Sequence, residues 1–519
     1  MKEYDVIIIG GGITGAGTAR DCALRGLRTL LVERFDITDG ATGRNHGLLH
    51  SGARYAVTDT ESAAECIAEN RILKRIAPGC VEQTGGLFIS LPEDDPAYVD
   101  IFVQSCRKSG IEAERIDPQE ARRIEPSVNP SLAGAVRVPD ASVDPFRLSS
   151  ANVLDAVMHG AEVMTYNEVV SLLRHADRVV GVELRDKRTA QTCRRYASIV
   201  VNAAGIWGQS IAAMAGVSIG MYPAKGSLLV FGHRVNRMVV NRLRKPANAD
   251  ILVPGDVVSI IGTTSTRVPL EQCDDIRVTP DEVKLLLEEG CKLVPSLENT
   301  RILRAYAGVR PLVASDDDPT GRSISRGIVL LDHQTRDGVP GFVSITGGKL
   351  TCYRLMARMA TDLVCDKLGV KAGCQTAVRV LPGLDGVPLD AKDSLGRKAA
   401  MARHGAQTRR MDFSGKSEVV CECEHITRAE IEYAVKFLDV HNLVDLRRRT
   451  RVGMGTCQGA FCIEKVATVL AEVLGCPQKA PDFVRQYVAE RWKGMVPLCW
   501  GESLREMEFM RKKYSGNEI

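Results

Sequence analysis

The sequence predicts an α/β protein founded on a Rossmann-like dinucleotide-binding unit, and three observations carry that expectation. Residues 1–34 read strand, glycine turn, helix, strand and acid in that order. Near residue 341 a second strand runs into Gly347-Gly348 and a helix, repeating the same logic. Four clustered cysteines beyond residue 418 mark a separate small helical module.

The N-terminal unit begins with Val6-Ile7-Ile8-Ile9, a β-branched run of the kind that forms a buried parallel strand. Gly10, Gly12 and Gly15 then fit G-x-G-x-x-G across Ile13 and Thr14. The first glycine permits the tight turn, the second a close approach to a pyrophosphate, and the third close packing of helix on strand. A helix over 16–24, a stop at Gly26 and an apolar strand over 28–32 follow. That strand ends in Glu33-Arg34, where an acid would hold an adenosine ribose. The fingerprint alone does not choose between NAD and FAD.

With 519 residues, 45% hydrophobic and 25% charged, the chain is long enough for several domains of an ordinary globular protein. A net charge of +4 is too near balance to imply nucleic acid. No stretch approaches the ~18 apolar residues of a membrane helix, and the sequence enters its first strand at once, so a cytosolic location is expected. Of sixteen cysteines, those outside the cluster, such as Cys22, Cys66, Cys106 and Cys365, read as small core residues.

Past Glu33 the loop over 40–55 combines glycines with two His and two Arg, an unusual load of reactive side chains for a plain connection. Residues 61–76 read as an amphipathic helix ended by Pro78-Gly79. Strands are expected over 179–184 and 198–202, and as a pair over 251–253 and 257–262. The pattern weakens from 371 to 417, which reads as a linker, and the tail from 476 carries two of the three Trp residues. Packing onto its own core is the simpler reading of that tail, with partner docking the alternative.

Together the motifs over 40–56, 143–147, 201–207, 224–227, 261–264, 306–312 and 347–354 resemble the FAD-dependent glycerol-3-phosphate dehydrogenases. The resemblance spans the whole chain and is strongest to the bacterial anaerobic, multi-subunit branch of that family. It implies a FAD-binding domain of the glutathione-reductase/D-amino-acid-oxidase type, from parts near 1–75, 145–220 and 325–370. A mixed β-sheet substrate domain, over 76–144 and 221–324, would be interleaved with it. FAD would be held by Gly10, Gly12, Ile13, Thr14, Gly15, Glu33 and Arg34 at its ADP half, and by Thr42, Arg44 and Asn45 beside the pyrophosphate. Val169 would meet the adenine, Ala203, Ala204 and Gly205 would close over the pyrophosphate, and Gly347, Gly348, Lys349, Leu350 and Thr351 would face the flavin ring.

The resemblance further implies sn-glycerol 3-phosphate as substrate, with Arg54, Tyr55, Arg310, Arg326 and Lys349 around it; His50 is the candidate base, since imidazole titrates near working pH. Arginine suits a phosphate monoester because its planar fork binds two oxygens at once. His46 competes with His50 for the proton, and Arg310 could instead pair with Asp316–Asp318. Relatives in the single-chain branch carry His and Asp where this chain has Leu228 and Ser265.

Cys421-x-Cys423 and Cys457-x4-Cys462 resemble a bacterioferritin-associated-ferredoxin-like 2Fe–2S domain over 418–475. Zinc is the alternative, although C-x-C spacing suits it poorly. Thr427 and Glu430 form a capping-box pattern before a helical face of Ile431, Ala434, Val435 and Leu438. Arg447-Arg448-Arg449 and Arg451 read as a solvated face, or as a charge that offsets the cluster or docks an acidic partner. The family implies two further subunits, one a membrane anchor, with electrons passing to a quinone at the cytoplasmic face of the inner membrane. The competing functions are one component of an opine or amino-acid dehydrogenase, and a non-catalytic electron-transfer scaffold.

Overall fold

The first strand, Tyr4–Ile9, lies at the centre of a parallel sheet, and its alternation explains both faces of the domain. Val6 and Ile8 face a layer of helices, Ile13–Leu24, Pro145–Met158 and Tyr353–Leu368, through Ala19, Cys22, Ala156 and Met356. Ile7 and Ile9 face the opposite side with Val169, Leu172, Val182 and Ile211. A strand covered on both sides has no need of polar residues, which is why the run is apolar throughout. The protein is described by a computed structural model covering residues 3–313, 327–388, 390–414, 418–499 and 501–515.

The first strand pairs in parallel with Thr29–Val32 on one side and Thr192–Asn202 on the other. Glu162–Met164 and Phe342–Gly347 extend the parallel sheet outward, and Ile328–Asp332 closes the far edge antiparallel. Thr192–Asn202 belongs to two layers. Its first half continues an antiparallel meander with Asn167–His175 and Arg178–Asp186, and its second half enters the parallel sheet.

A second sheet runs from Glu114–Ile116 through Gly134–Val138, Gly86–Ser90, Val239–Arg242, Ile251–Gly255 and Val258–Gly262 to Met221–Phe231. Ile302–Val313 and Thr266–Arg267 both pair with that last strand. The helix Pro280–Leu293, started by a Thr279/Glu282 capping box with Pro280 in its first turn, covers this sheet. Its Val283, Leu286 and Leu293 bury against Leu229, Phe231, Leu252 and Ile261.

The segment expected to be a linker, 371–417, is largely packed instead. Leu381 and Leu384 are buried in the core around Leu73 and Tyr353. The helix Leu395–His404 lies against the C-terminal module, where Arg403 pairs with Glu430 at 2.7 Å. That pairing also revises the capping box: Thr427 accepts the Glu430 N–H at 3.3 Å, but the Glu430 carboxylate turns to Arg403 and His404.

The module itself packs the helices Arg428–Phe437, Leu443–Thr450, Ile463–Val473 and Ala480–Met495 around Ile431, Leu446, Val466, Leu470 and Tyr487. The tail helix Ala480–Met495 is therefore part of this core. The arginine run is neither a solvated face nor a free patch. Arg449, 1% exposed, pairs with the equally buried Asp36 at 2.5 Å, and Arg448 reaches Asp36 at 3.0 Å and Asp39 at 2.5 Å. Arg451 joins Asp144, Glu424 and Asp256 at 3.0–3.3 Å. Tyr166 donates to Asp445 at 2.7 Å, so the module is fastened to the first domain by charge and hydrogen bonds.

Candidate active site and cysteine centre

A cavity of about 670 Å³ runs from the glycine turn, under the parallel sheet's C-terminal edge, to the second sheet. In an open α/β sheet that edge is where ligands bind, because helix N-termini and strand ends converge there. Gly10 has φ +111°, and a Cβ on it would stand 2.6 Å from the Ala203 carbonyl oxygen. At Gly15 a Cβ would stand 1.9 Å from the Gly10 oxygen, so that glycine serves packing and does not line the cavity. The helix Ile13–Leu24 begins at Gly12 with no side-chain cap, which leaves its positive end for an anion. Thr42 Oγ1 accepts the Ile13 N–H at 3.0 Å and ties the 40–45 loop to that helix end.

Glu33 is half-buried, and desolvation raises its pKa. Its two oxygens accept the Phe35 N–H at 2.9 Å and the Gly11 N–H at 2.7 Å, which opposes that rise. Arg34 lies over the Trp207 ring at 4.4 Å and bonds Asp274, forming the wall beside Val169. Asn45 Nδ2 donates to the Thr42 oxygen at 2.6 Å, and Asn45 Oδ1 accepts from Gly47 at 2.7 Å, locking the loop. Thr14, Arg44, Ala203, Ala204 and Gly205 complete this half.

At the other end the cavity is cationic and aromatic. Lys349 sits 4.7 Å from the Tyr55 ring centre, and Tyr55 is 5.3 Å from His50. Gly347 and Gly348 have φ +74° and +63°, a backbone that carries Lys349 and Leu350 over the cavity ahead of the helix Tyr353–Leu368. Thr351 turns away from it and accepts the His50 N–H at 3.1 Å. His46 and His50 both line the cavity, 6.1 Å apart, but His46 Nδ1 accepts the Leu48 N–H at 3.2 Å. A neutral His46 held in that bond carries its proton on Nε2 and has no lone pair to offer there.

Arg54 Nη2 donates to Asp250 at 2.9 Å, while Arg54 Nη1 is buried with no hydrogen-bond partner among the described residues. Burial alone would raise the Asp250 pKa, but Arg54 and Arg244 hold it below the usual carboxylate range. Asp250 is therefore an anchor that orients the Arg54 fork. Arg310 bonds Thr263 Oγ1, the Thr264 oxygen at 3.1 Å and the Lys225 oxygen at 3.3 Å. These bonds fix it on the opposite wall, where the alternative pairing with Asp316–Asp318 falls outside the described residues. Arg326 also lies outside them. Asp250 carried no sequence signal of its own as part of a site, and Trp207 and Thr263 were marked only as members of the family motifs over 201–207 and 261–264.

The four clustered thiols come in two pairs, Cys421 with Cys462 and Cys423 with Cys457. The Cys421 thiol is lowered by its bond with Cys462, against burial, with help from the Glu424 and Gly453 N–H groups. Gly455 lets the loop close on Cys423, since a Cβ there would stand 2.6 Å from the Cys423 Cβ. Two pairs of thiols suit a two-iron cluster, one pair per iron. Among the described residues no three His, Cys, Asp or Glu side chains gather tightly enough to hold one metal ion.

Residues 5–354 match the FAD dependent oxidoreductase family, and residues 419–472 match the BFD-like [2Fe-2S] binding domain. The chain is 58% identical to the A-subunit of the anaerobic glycerol-3-phosphate dehydrogenase of Escherichia coli (strain K12), over 99% of this chain and 97% of that protein. It is 56% identical to the same-named protein of Haemophilus influenzae, over 98% and 92%. The crystal structure of a Bacillus halodurans glycerol-3-phosphate dehydrogenase complexed with FAD superposes with a TM-score of 0.71 at 24% identity, covering 96% of this chain and 97% of that one. The glycine cradle, uncapped helix end and acid at the end of the second strand fit FAD, and the paired thiols fit the cluster. The chain thus belongs to the FAD-dependent glycerol-3-phosphate dehydrogenase family, in its anaerobic A-subunit branch with a C-terminal [2Fe-2S] domain.

Proposed function

We propose that the chain oxidises sn-glycerol 3-phosphate to dihydroxyacetone phosphate as the catalytic component of a respiratory complex. The observation that carries this reading is Arg54, whose buried Nη1 donor has no partner among the described residues and lines the same cavity as Arg310. A buried guanidinium donor left unbonded costs free energy unless a ligand anion takes it, and a phosphate monoester supplies the matching oxygens. Gly10, Gly12 and the helix end at Ile13 would hold FAD along the glycine cradle, where it would supply the hydride acceptor for the carbinol carbon. The protein's share is to clamp the phosphate between Arg54 and Arg310, set the secondary hydroxyl near His50, and take its proton on that imidazole. The Leu48 bond to His46 Nδ1 supports His50 over its neighbour. Lys349, beside Tyr55, contributes positive charge at the flavin end.

Cys421, Cys423, Cys457 and Cys462 would hold the [2Fe-2S] cluster, which would supply an electron exit toward two further subunits and a membrane quinone. The side chain of Phe461, next to Cys462, is 91% exposed, which supports a protein contact at that exit. No helix among the described residues is long and apolar enough to cross a membrane, so attachment at the cytoplasmic face of the inner membrane is assigned to a partner. The domain division proposed from the sequence is kept for the two interleaved parts, with 395–410 and 480–495 added to the cysteine module.

An anaerobic visible spectrum of the purified chain tests the reading. Addition of sn-glycerol 3-phosphate should bleach the flavin band over a background of iron–sulfur absorption. Arg310→Ala should need about 10–100-fold more substrate for the same bleaching, the worth of one or two charged hydrogen bonds, and should keep its FAD. Bleaching by an amino acid but not by the phosphate ester would establish the opine or amino-acid alternative instead. No bleaching by any alcohol or amine would leave the scaffold.

A further inference from the structure

A second cavity, of about 530 Å³, lies where the substrate sheet, the cysteine module and the tail helix meet. It shares the 39–46 loop with the first cavity but opens on the opposite side of it, toward the helices Leu443–Thr450 and Ala480–Met495. Gly494 makes the junction possible: a Cβ there would stand 2.6 Å from the Ala305 oxygen, so the tail helix rests directly on the strand Ile302–Val313.

Most charges around this cavity are matched. Arg448 and Arg451 pair with Asp39, Asp144 and Asp256, Arg277 with Asp275, and Lys493 with Glu490. Arg147 is held by the Ala402 and Arg403 oxygens, and three further arginines have no carboxylate partner among the described residues. Arg304, over the Tyr306 ring at 5.2 Å, has no carboxylate partner among the described residues, and burial pushes its pKa down. Arg447 Nε and Arg491 Nε are buried without a hydrogen-bond partner among those residues. The three come from three different elements and face one space, whose remaining wall includes Val230, Val258, Ile260 and Ile276.

Three half-buried guanidinium groups around one cavity, with Glu490 the acid that acts on Arg304, repel one another and leave two buried Nε donors unsatisfied among the described residues. An anion with several oxygens resolves both costs, and the aliphatic wall leaves room for a small organic body attached to it. We propose that this cavity is a second anion-binding site, taking the phosphate group of a small organic phosphate between Arg304, Arg447 and Arg491. It is separate from the Arg54/Arg310 site and holds whether or not the substrate assigned to that site is right.

Equilibrium dialysis of the full chain against labelled inorganic phosphate tests this, alongside flavin bleaching as an independent readout of the first site. The unmodified protein should bind one phosphate more per chain than Arg304→Met combined with Arg491→Met, which should keep its FAD and cluster absorption and leave bleaching by sn-glycerol 3-phosphate unchanged. Should that pair compromise folding, Arg491→Gln alone should weaken the second phosphate at least tenfold. Equal phosphate binding in the unmodified and substituted chains would overturn the proposal. So would loss of bleaching in a variant that keeps FAD, because the cavity would then be an arm of the substrate site.

Discussion

A Cβ built on Gly226 would lie 2.5 Å from Arg310 Nη2, so the glycine lets the guanidinium lie across the strand Met221–Phe231. Gly226→Ala should push Arg310 out of its Thr263 and Thr264 bonds and raise the substrate needed for half-bleaching about tenfold, with the FAD content unchanged. An anaerobic titration followed at the flavin band reads both. Arg54 and Arg310 were visible in the sequence through family motifs, but what orients them was not. Asp250 meets Arg54 across 196 residues of chain, and no local spacing encodes such a pair. His50 was the candidate base with His46 left in competition for the same reason, since only the turn geometry commits His46 Nδ1 to Leu48.

The helix Leu443–Thr450 shows how an element's charge can mislead when its partners are unseen. Arg447-Arg448-Arg449 on paper is a basic face; in the fold Arg449 and Asp36 are a buried pair between domains. Arg449→Ala would leave the buried Asp36 with Arg448 alone and should cost up to about 3–5 kcal/mol, read as a lower midpoint of thermal unfolding. A second pair inside the module gives a pH dependence. Burial alone would raise Glu430, but Arg403 and His404 hold it down to about 2, against an ordinary 4.5. Burial pushes His404 below its ordinary 6.5, against the pull of Glu430. Both folded values lie below the unfolded ones, so protons favour the unfolded chain as pH falls. Stability should be complete above 6.5, decline below it as unfolded His404 protonates, and fall further from 4.5 toward 2. The melting midpoint measured between pH 7.5 and 5 checks this, and His404→Gln should flatten that stretch of the curve. By contrast, the helices and strands with clear periodicity were legible: the 61–76 reading became Thr60–Ile76, capped by Asp59, and the 251–262 pair became a hairpin. The 371–417 segment was not, because Leu381 and Leu384 bury in a distant core while Val378 and Leu395 stay exposed, which leaves no periodic apolar face to read.

Across the whole molecule the cysteine module grips the same loop that the dinucleotide cradle uses. Asp39 lines the first cavity, Thr38 N donates to the Gly11 oxygen at 3.1 Å, and Asp36 and Asp39 are held by Arg448 and Arg449. FAD binding and module docking therefore share a segment and should be coupled, reciprocally, by about 1–3 kcal/mol. Arg448→Ala should weaken FAD about 5–150-fold, measured by recovery of flavin fluorescence on dilution, and removal of FAD should speed proteolysis between the two parts. This coupling was invisible in the sequence, where the two halves stand more than four hundred residues apart. The topology also sets a timetable for the chain's birth. Ile7 waits for Val200 to complete its pairing, and Val200 in turn waits for Phe342. At about 5–20 residues per second, the N-terminal strand leaves the ribosome roughly 10–40 seconds before its inner neighbour exists. Through that interval an apolar ribbon with an open edge must be shielded from other nascent chains, so the hazard in making this protein is concentrated at its beginning, although the centre of the finished sheet is built there.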